Sequence, residues 1–526
     1  MLGAPITRWI QHWARTKPDQ PAIVFEHHPV SWRTLNDTMD AWSRTLITQG
    51  VRPGDRIACL LNNRAEFYFT FLAAARARAV FVPINTQLTA GEVSHLVADA
   101  DAAAVICETR TADLVGNLDT PRPRKILNVD QQDLAAPADS SRGRPSGAVE
   151  SLPSATFDDP LAILYTSGTT GRPKGAVFAH SQFHFAAEAL CRAFDLTQSD
   201  RHLINAPLYF TGGVLVASQP VLLSGGTIVL STYQSPGHTL ELIENENVTV
   251  YLAVPAILNL LSDLVAARPE RLASLRVLTS GSAPTPRPLI EFYRAHGITV
   301  AQGYGLTEAG GAAAFLLPGD ASGHEETVGR ATMYTEIAVT RPDGSPAGPT
   351  ETGELRLRGP SITSGYWRNP TATEDLVGEG GWITTGDLGT MDEDGYLTIV
   401  GRLKDVIITG GVNVYPAEVE SVLSAHPDIV EVAVIGVPHA TYGETVTAVV
   451  VAAEGHTMSL TQLREFGAAE LAHYKLPRLL WLVDRLPRTA SGKVRKDKIR
   501  NSSASELDQS PDVRRPDHDA PIHSRP

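Results

Sequence analysis

Eleven residues, Tyr165-Thr166-Ser167-Gly168-Thr169-Thr170-Gly171-Arg172-Pro173-Lys174-Gly175, gather hydroxyls and glycines and close on a single lysine. Glycines let a backbone approach an anion closely, and peptide N–H groups and hydroxyls donate to phosphate oxygens. The lysine adds a point charge. The chemistry indicated is the handling of a triphosphate, against the alternative of a flexible surface turn, which glycine-rich segments often form. In the common nucleotide loop the lysine directly follows a glycine and precedes Ser or Thr. Here Pro173 precedes Lys174 and Gly175 follows it, which argues against a motor or GTPase fold.

A second constellation is Gln302-Gly303-Tyr304-Gly305-Leu306-Thr307-Glu308. A tyrosine held between glycines can offer its face to a base. A carboxylate beside a phosphate site can hold Mg²⁺, a hard cation that favours oxygen ligands. Further along, Asp387 follows Gly386, and a short acid there can accept two hydrogen bonds from a ribose diol. Arg402, in Gly401-Arg402-Leu403-Lys404-Asp405, can reach ribose or phosphate with a planar fork. Lys493, in Pro487-Arg488-Thr489-Ala490-Ser491-Gly492-Lys493, is one charge of a basic stretch. Each of these read alone is a turn or a solvated charge.

In this order, the motifs resemble the adenylate-forming superfamily of acyl-CoA synthetases, aryl-CoA ligases, luciferases and peptide-synthetase adenylation domains. The likeness runs to about residue 500. Its flavour is that of fatty-acid-CoA ligases of the mycobacterial long-chain type, carried by Val254-Pro255-Ala256-Ile257-Leu258-Asn259 and Gly329-Arg330-Ala331-Thr332-Met333. The resemblance implies an ATP-dependent carboxylic acid–CoA ligase: acid and ATP give acyl-AMP and pyrophosphate, and CoA then takes the acyl group. A fatty or aryl acid, ATP, Mg²⁺ and CoA are the implied substrates and cofactors. Two rivals stand beside it. One passes the activated group to a carrier protein, an amine or another small nucleophile, and the other is a nucleotide-binding regulator that has lost catalysis.

Residue by residue, the resemblance gives Ser167, Gly168, Thr169, Thr170, Gly171 and Lys174 to the phosphates and Thr166 with Glu308 to Mg²⁺. Ser282 falls at an edge of the adenine pocket, with Gly303 beside it and Tyr304 stacking on the base. Thr307 goes to the α-phosphate or acyl carboxylate, Asp387 to the ribose, and Arg402 to ribose or phosphate. Lys493 reaches the acyl carboxylate and α-phosphate during adenylation. Lys404 is the hinge, and Gly410-Gly411 line the pantetheine tunnel. Lys174, Thr307, Glu308 and Lys493 are the implied catalytic set. Phe210, Gly303, Gly305, Gly310 and Gly311 are placed around the acyl group, although small residues there also permit close packing. The family commonly reads Pro-x-x-His where this chain has Pro207-Leu208-Tyr209-Phe210. A phenyl ring cannot hydrogen-bond as imidazole does, so Phe210 gates by bulk or is a core residue, and aryl-CoA ligases can carry an aromatic residue here.

The elements that must position these residues alternate between strand and helix patterns, as in Pro21–Phe25, Arg56–Leu61 and the Ala-rich stretch from Glu66 to Arg78. An α/β fold follows, and Leu222–Leu230 reads as a further strand. With 526 residues, two or more domains are expected. The expectation is a large multi-subdomain N-terminal domain with layered sheets over residues 1–400, a hinge at 401–404, and a small mobile α+β C-terminal domain over 405–500. A disordered tail over 501–526 completes it. Residues 111–155, rich in Arg, Asp, Ser and Pro, read as a surface insertion. His180 and His184 sit four apart on a predicted helix, a spacing open to metal, but with no third ligand in view, packing or capping is preferred.

A formal net charge of −13 disfavours a sequence-independent nucleic-acid binder. Three widely spaced cysteines, Cys59, Cys107 and Cys191, read as reduced thiols of a cytoplasmic protein. No secretory leader is legible, and no stretch reaches the roughly 18 apolar residues that span a bilayer. Peripheral membrane contact and a homodimer remain compatible with the composition.

Overall fold

A computed structural model describes residues 5–116, 118, 123, 125–131, 155–166, 173–283, 285–320, 323–439, 441–489 and 493–502. The chain divides into two compact units. The first comprises residues 1–282, 292–338 and 356–385, and the second residues 283–291, 339–355 and 386–526.

The first unit is built on two sheets. A six-stranded sheet runs in the order Lys125–Asn128, Ala102–Cys107, Arg56–Leu60, Val80–Pro83, Pro160–Thr166, Lys174–Ala179. All of its pairings are parallel except the last, where Pro160–Thr166 and Lys174–Ala179 run antiparallel. A nine-stranded sheet has a parallel centre: Val300–Tyr304, Val277–Ser280, Val250–Ala253, Arg201–Ile204, Thr227–Leu230 and Pro21–Phe25. Parallel strands covered on both faces read as continuous apolar runs, which is why Ala102–Cys107 is buried throughout. The helix Ala65–Arg76 is apolar on nearly every side and nine of its residues are buried, the pattern of a helix sandwiched within a core. One hydrophobic cluster takes residues from both sheets, including Ile23, Ile57, Phe81 and Ile228, together with Phe67, Phe71 and Phe183. Ser31 caps the helix Trp32–Thr48 by accepting from the N–H of Thr34, as the sequence suggests.

Two expectations change. Leu222-Leu223-Ser224 end the helix Gln219–Ser224, and only Thr227–Leu230 is strand. A short apolar run does not separate strand from buried helix by periodicity. Gly225, at φ 79°, closes the helix in the left-handed region that glycine enters freely. Within the stretch read as an insertion, Ala112–Gly116 is helical, and Lys125–Asn128 is an edge strand parallel to Ala102–Cys107.

The two histidines pack. His180 Nδ1 accepts the N–H of Ile6 at 3.3 Å, and the His184 ring lies among Trp9, Phe157 and Phe185 at centroid distances of 5.4–5.8 Å. Among the described residues no group of three or more His, Cys, Asp or Glu is placed to hold a metal ion, and no helix is long and apolar enough to cross a membrane.

The second unit carries a five-stranded sheet ordered Val412–Val414, Ile407–Thr409, Gly443–Ala452, Ile429–His439, with Leu479–Leu482 parallel to Gly443–Ala452. Its apolar cluster includes Ile407, Val419, Val434, Val450 and Leu463. This is the small α+β body that the sequence suggests.

Burial lowers both His180 and His202 to about 4, and His202 has no hydrogen-bond partner on either ring nitrogen among the described residues. An unfolded histidine titrates near 6.5. The stability that these neutral rings contribute is therefore fully present above about pH 6.5 and is lost as pH falls toward 4. Between pH 7.5 and 5 the loss should be on the order of 2 kcal/mol per histidine. Urea midpoints across that range should fall steadily, and His180→Asn should reduce the slope by about half. A flat profile would show that these rings are not held neutral.

Candidate functional site

Thr166 ends the strand Pro160–Thr166 and Lys174 begins the strand Lys174–Ala179, and the two are directly paired across the hairpin. The loop between them bears Ser167, Gly168, Thr169, Thr170 and Gly171, which lie outside the described residues. Antiparallel pairing thus places the two ends of the eleven-residue motif side by side, with the Thr166 hydroxyl 3.4 Å from the Lys174 carbonyl oxygen.

Residues 363–367 run beside the second of these strands. Trp367 N–H donates to the Gly175 carbonyl at 2.7 Å, Val177 N–H to that of Gly365 at 2.9 Å, and Ser364 N–H to that of Val177 at 3.1 Å. On its other edge, Thr363 N–H donates to the Glu308 carbonyl at 2.8 Å. Glu308 is thereby brought against the hairpin. Its Oε1 accepts from the Thr166 hydroxyl at 3.3 Å and from the Tyr366 hydroxyl at 2.8 Å. The Lys174 ammonium lies over the Tyr366 ring, 5.2 Å from its centroid, within cation–π range. Burial, with the Glu308 carboxylate beside it, pushes the Tyr366 phenol well above its ordinary value, so it stays protonated and donates.

The glycine motifs stand where parallel strands end, the usual place for a ligand in an open α/β sheet. Gly281-Ser282 follow Val277–Ser280, and Gly303-Tyr304 end the neighbouring strand Val300–Tyr304. Ser282 adopts φ 69° and is exposed. Tyr304 is half-buried and packs against the cluster of Ala309, Leu357 and Ile362. Thr307 opens the turn Thr307–Ala309 that carries Glu308, and its hydroxyl lies 2.8 Å from that of Thr211.

The four glycines placed around the acyl group are tightly enclosed by protein. A methyl on Gly303 would overlap the Phe315 ring, and one on Gly305 the Gly311 carbonyl. One on Gly310 would come within 2.8 Å of the Ser361 carbonyl oxygen, and one on Gly311 within 2.5 Å of Val216. All four positions are closely packed. Phe210 is half-buried and meets the Tyr209 ring edge-on at 4.8 Å. It precedes a π-helical turn, Gly212–Ala217, a feature frequent at functional sites.

In the second unit, Asp387 and Arg402 are partners across the antiparallel strands Ile383–Met391 and Leu397–Arg402. The Asp387 carboxylate, 7% exposed, takes the Arg402 guanidinium at 3.0 Å, while Arg402 stays 48% exposed. Lys404 sits exposed in the turn Leu403–Asp405. Gly410 and Gly411, at φ 59° and 81°, form the tip of the hairpin between Ile407–Thr409 and Val412–Val414. Both positive angles suit glycine. Lys493 is exposed, and its carbonyl accepts the N–H of Thr489 at 2.7 Å.

Two participants escape sequence reasoning. Tyr366 lies 58 residues from Glu308, and Thr211 lies 96 from Thr307. No spacing rule links either pair, and only the main-chain pairing of residues 363–367 reveals the first. One carboxylate flanked by two hydroxyls is a hard oxygen donor set that fits Mg²⁺, which is usually held by one or two carboxylates plus substrate phosphates.

The chain matches the AMP-binding enzyme family over residues 10–367 and the AMP-binding enzyme C-terminal domain over residues 418–493. It is 36% identical over 503 residues to feruloyl-CoA synthase of Amycolatopsis sp., covering 95% of this chain and 99% of that protein. It is 36% identical over 471 residues to the long-chain-fatty-acid–CoA ligase FadD13 of Mycobacterium tuberculosis, covering 90% of this chain and 92% of that one. Among solved structures, the o-succinylbenzoate CoA synthetase (MenE) of Bacillus subtilis, in complex with the acyl-adenylate intermediate OSB-AMP, aligns with a TM-score of 0.83 at 29% identity. That alignment covers 97% of this chain and 99% of the other.

The enclosed glycines give a stability contrast. Gly305→Ala sets a methyl against backbone and should cost about 1–3 kcal/mol. Gly91→Ala, in the helix Ala90–Asp99 with open space around it, should gain about 0.5–1 kcal/mol. Denaturant titration of the two variants checks the order, and a neutral Gly305→Ala would show that the turn bearing Glu308 is loosely held.

Proposed function

The chain belongs to the AMP-binding enzyme family, and from that premise we propose that it is an ATP-dependent carboxylic acid–CoA ligase working through an acyl-AMP intermediate, with a fatty or aryl acid as substrate. The observation that carries this reading is the meeting of Thr166, from one sheet, with Glu308, from a loop of the other, beside Tyr366, which touches Glu308 and carries Lys174 over its ring.

In the first half-reaction a carboxylate oxygen of the acid attacks the α-phosphorus of ATP. The new O–P bond forms as the bond to the β-phosphate oxygen breaks, and pyrophosphate leaves. Negative charge gathers on the phosphoryl oxygens, so fixed positive charges and donors are what the protein must supply, and such preorganised groups are usually the largest catalytic term. Lys174, the loop hydroxyls and Lys493 fill that role, Thr307 orients the carboxylate or α-phosphate, and no protein nucleophile is needed. Glu308 and Thr166 would hold Mg²⁺, which when bound supplies further positive charge to the phosphates. Tyr304 and Ser282 flank the adenine, and Asp387 with Arg402 takes the ribose. The Asp387–Arg402 pair supports this last role, because it sets a buried carboxylate and a half-exposed guanidinium side by side, an acceptor and a donor for the diol.

In the second half-reaction the CoA sulfur attacks the acyl carbon. The C–S bond forms, the acyl–phosphate C–O bond breaks, the thiol proton is lost and AMP leaves. The domain of residues 405–500 swings about Lys404 between the two steps, withdrawing Lys493 and presenting the Gly410–Gly411 hairpin. One site then serves both reactions through a conformational step. The exposed turn Leu403–Asp405 supports the hinge. Phe210, edge-on to Tyr209, tilts the choice of acid toward an aryl group. The three cysteines are free thiols, in keeping with a reducing cytoplasm.

A panel of aliphatic and aryl acids assayed for pyrophosphate release, with CoA, holo-carrier protein or amines as acceptor, tests the reaction as a whole. Acid-dependent pyrophosphate release with CoA-dependent turnover is expected, and turnover only with another nucleophile would redirect the reading to amide or carrier chemistry. Lys493→Ala should lower pyrophosphate formation by about two to three orders of magnitude, while thioester formation from supplied acyl-AMP stays within a few-fold of the parent. Equal losses in both halves would remove the division of labour.

A further inference from the structure

Tyr366 touches both groups that the adenylation step depends on, and neither the motif comparison nor the spacing assigns it a task. Its main chain is fixed on two sides: it bridges to Ala176, and its N–H donates to the Thr373 hydroxyl at 2.9 Å. The next residue is fixed as firmly, Trp367 N–H on the Gly175 carbonyl and Trp367 Nε1–H on that of Asp99 at 3.0 Å. From this anchored backbone the phenol reaches Glu308 Oε1 at 2.8 Å, and the ring face lies under the Lys174 ammonium. Both hydroxyls that reach the carboxylate from the described residues fall on Oε1. An ionised carboxylate has about four acceptor sites, so two bonds orient it and leave lone pairs for a cation.

We propose that Tyr366 is a positioning residue for adenylation: its hydroxyl fixes the Glu308 carboxylate for a divalent cation, and its ring stations Lys174 for the phosphates. The inference rests on the adenylation reading above. A purely structural role would be filled by the ring alone, because the ring packs in the cluster of Ala309, Leu357, Ile362 and Leu376. Phenylalanine keeps that ring and its face toward Lys174, and removes only the hydroxyl. A hydrogen bond to a charged group contributes roughly one decade in an equilibrium, and a cation–π contact at a part-exposed site a few-fold.

The test compares the parent, Tyr366→Phe and Tyr366→Leu as full-length proteins. Mn²⁺ binding in the presence of a non-hydrolysable ATP analogue, read by electron paramagnetic resonance, should weaken about tenfold in Tyr366→Phe. The Mg²⁺ concentration for half-maximal pyrophosphate formation should rise by a similar factor, with thioester formation from supplied acyl-AMP changed by less than about twofold. Tyr366→Leu should add a few-fold rise in the KM for ATP that Tyr366→Phe does not show. Denaturation monitored by circular dichroism establishes that both variants are folded at the assay temperature. Unchanged Mn²⁺ affinity in Tyr366→Phe would overturn the assignment to Glu308, and equal ATP KM values in the two variants would overturn the part concerning Lys174. If the parent itself releases no acid-dependent pyrophosphate, the adenylation reading fails instead, whatever Tyr366 does to Mn²⁺.

Discussion

Main-chain hydrogen bonds along both edges of residues 363–367 hold the first unit's site together. One edge extends the strand Lys174–Ala179, and the other takes the carbonyl of Glu308. Peptide groups buried beside strands must find partners, and here that requirement joins a hairpin of the six-stranded sheet to a turn between two strands of the nine-stranded one. Side-chain contacts among Thr166, Lys174, Glu308 and Tyr366 depend on this backbone registration. Side-chain bonds alone would be weak guarantees of position, since each is worth only about 1 kcal/mol net. A backbone slip of one residue along the strand would turn Tyr366 to the opposite face and leave Glu308 without its donor.

Close backbone approach sets the second constraint. Gly303, Gly305, Gly310 and Gly311 let the turn bearing Thr307 and Glu308 lie against Phe315, Ser361 and Val216 without space for a Cβ. Such contacts stiffen the turn, because interiors packed to this density respond to even one added methyl group. At all four positions an added Cβ would meet neighbouring protein atoms. Their role lies in holding a carboxylate still, which is what electrostatic preorganisation demands.

What could be read from the sequence was local. The strands Pro21–Phe25 and Arg56–Leu60, the helix from His180 and the α/β class all follow from periodicity and residue type. Leu222-Leu223-Ser224 misled because an apolar run carries no period, and Lys125–Asn128 was hidden because four residues at a sheet edge sit in a polar stretch. Tyr366 and Thr211 were out of reach for a different reason. Their partners lie 58 and 96 residues away, and proximity of that kind is created by strand order alone. The family resemblance supplied the roles that single residues cannot declare, such as those of Lys404 and Lys493.

The layout of the second unit bears on the proposed division of the reaction into two steps. The Gly410–Gly411 hairpin occupies one end of the strand order, Val412–Val414 and Ile407–Thr409, and the strand Ile429–His439 lies beyond Gly443–Ala452 at the other. The segment leading to Lys493 is tied to that far strand: Arg488 pairs with Glu431 at 2.7 Å, and Leu486 and Val494 pack with Ala433 and Ile435. The hairpin tip, however, stands beside the turn at the other end of that strand, since Gly410 N–H donates to the Tyr442 carbonyl at 2.8 Å, and from Glu431 to His439 the strand spans roughly 27 Å. The apolar cluster of Ile407, Val434, Val450 and Leu463 makes the sheet between them one stiff body. A rigid element that carries two groups this far apart along its strands cannot bring both to one phosphorus-sized target together. If Lys493 serves the first half-reaction and the glycine hairpin the second, the alternation follows from the length of these strands, and reorientation of the whole domain is the motion that lets each group take its turn.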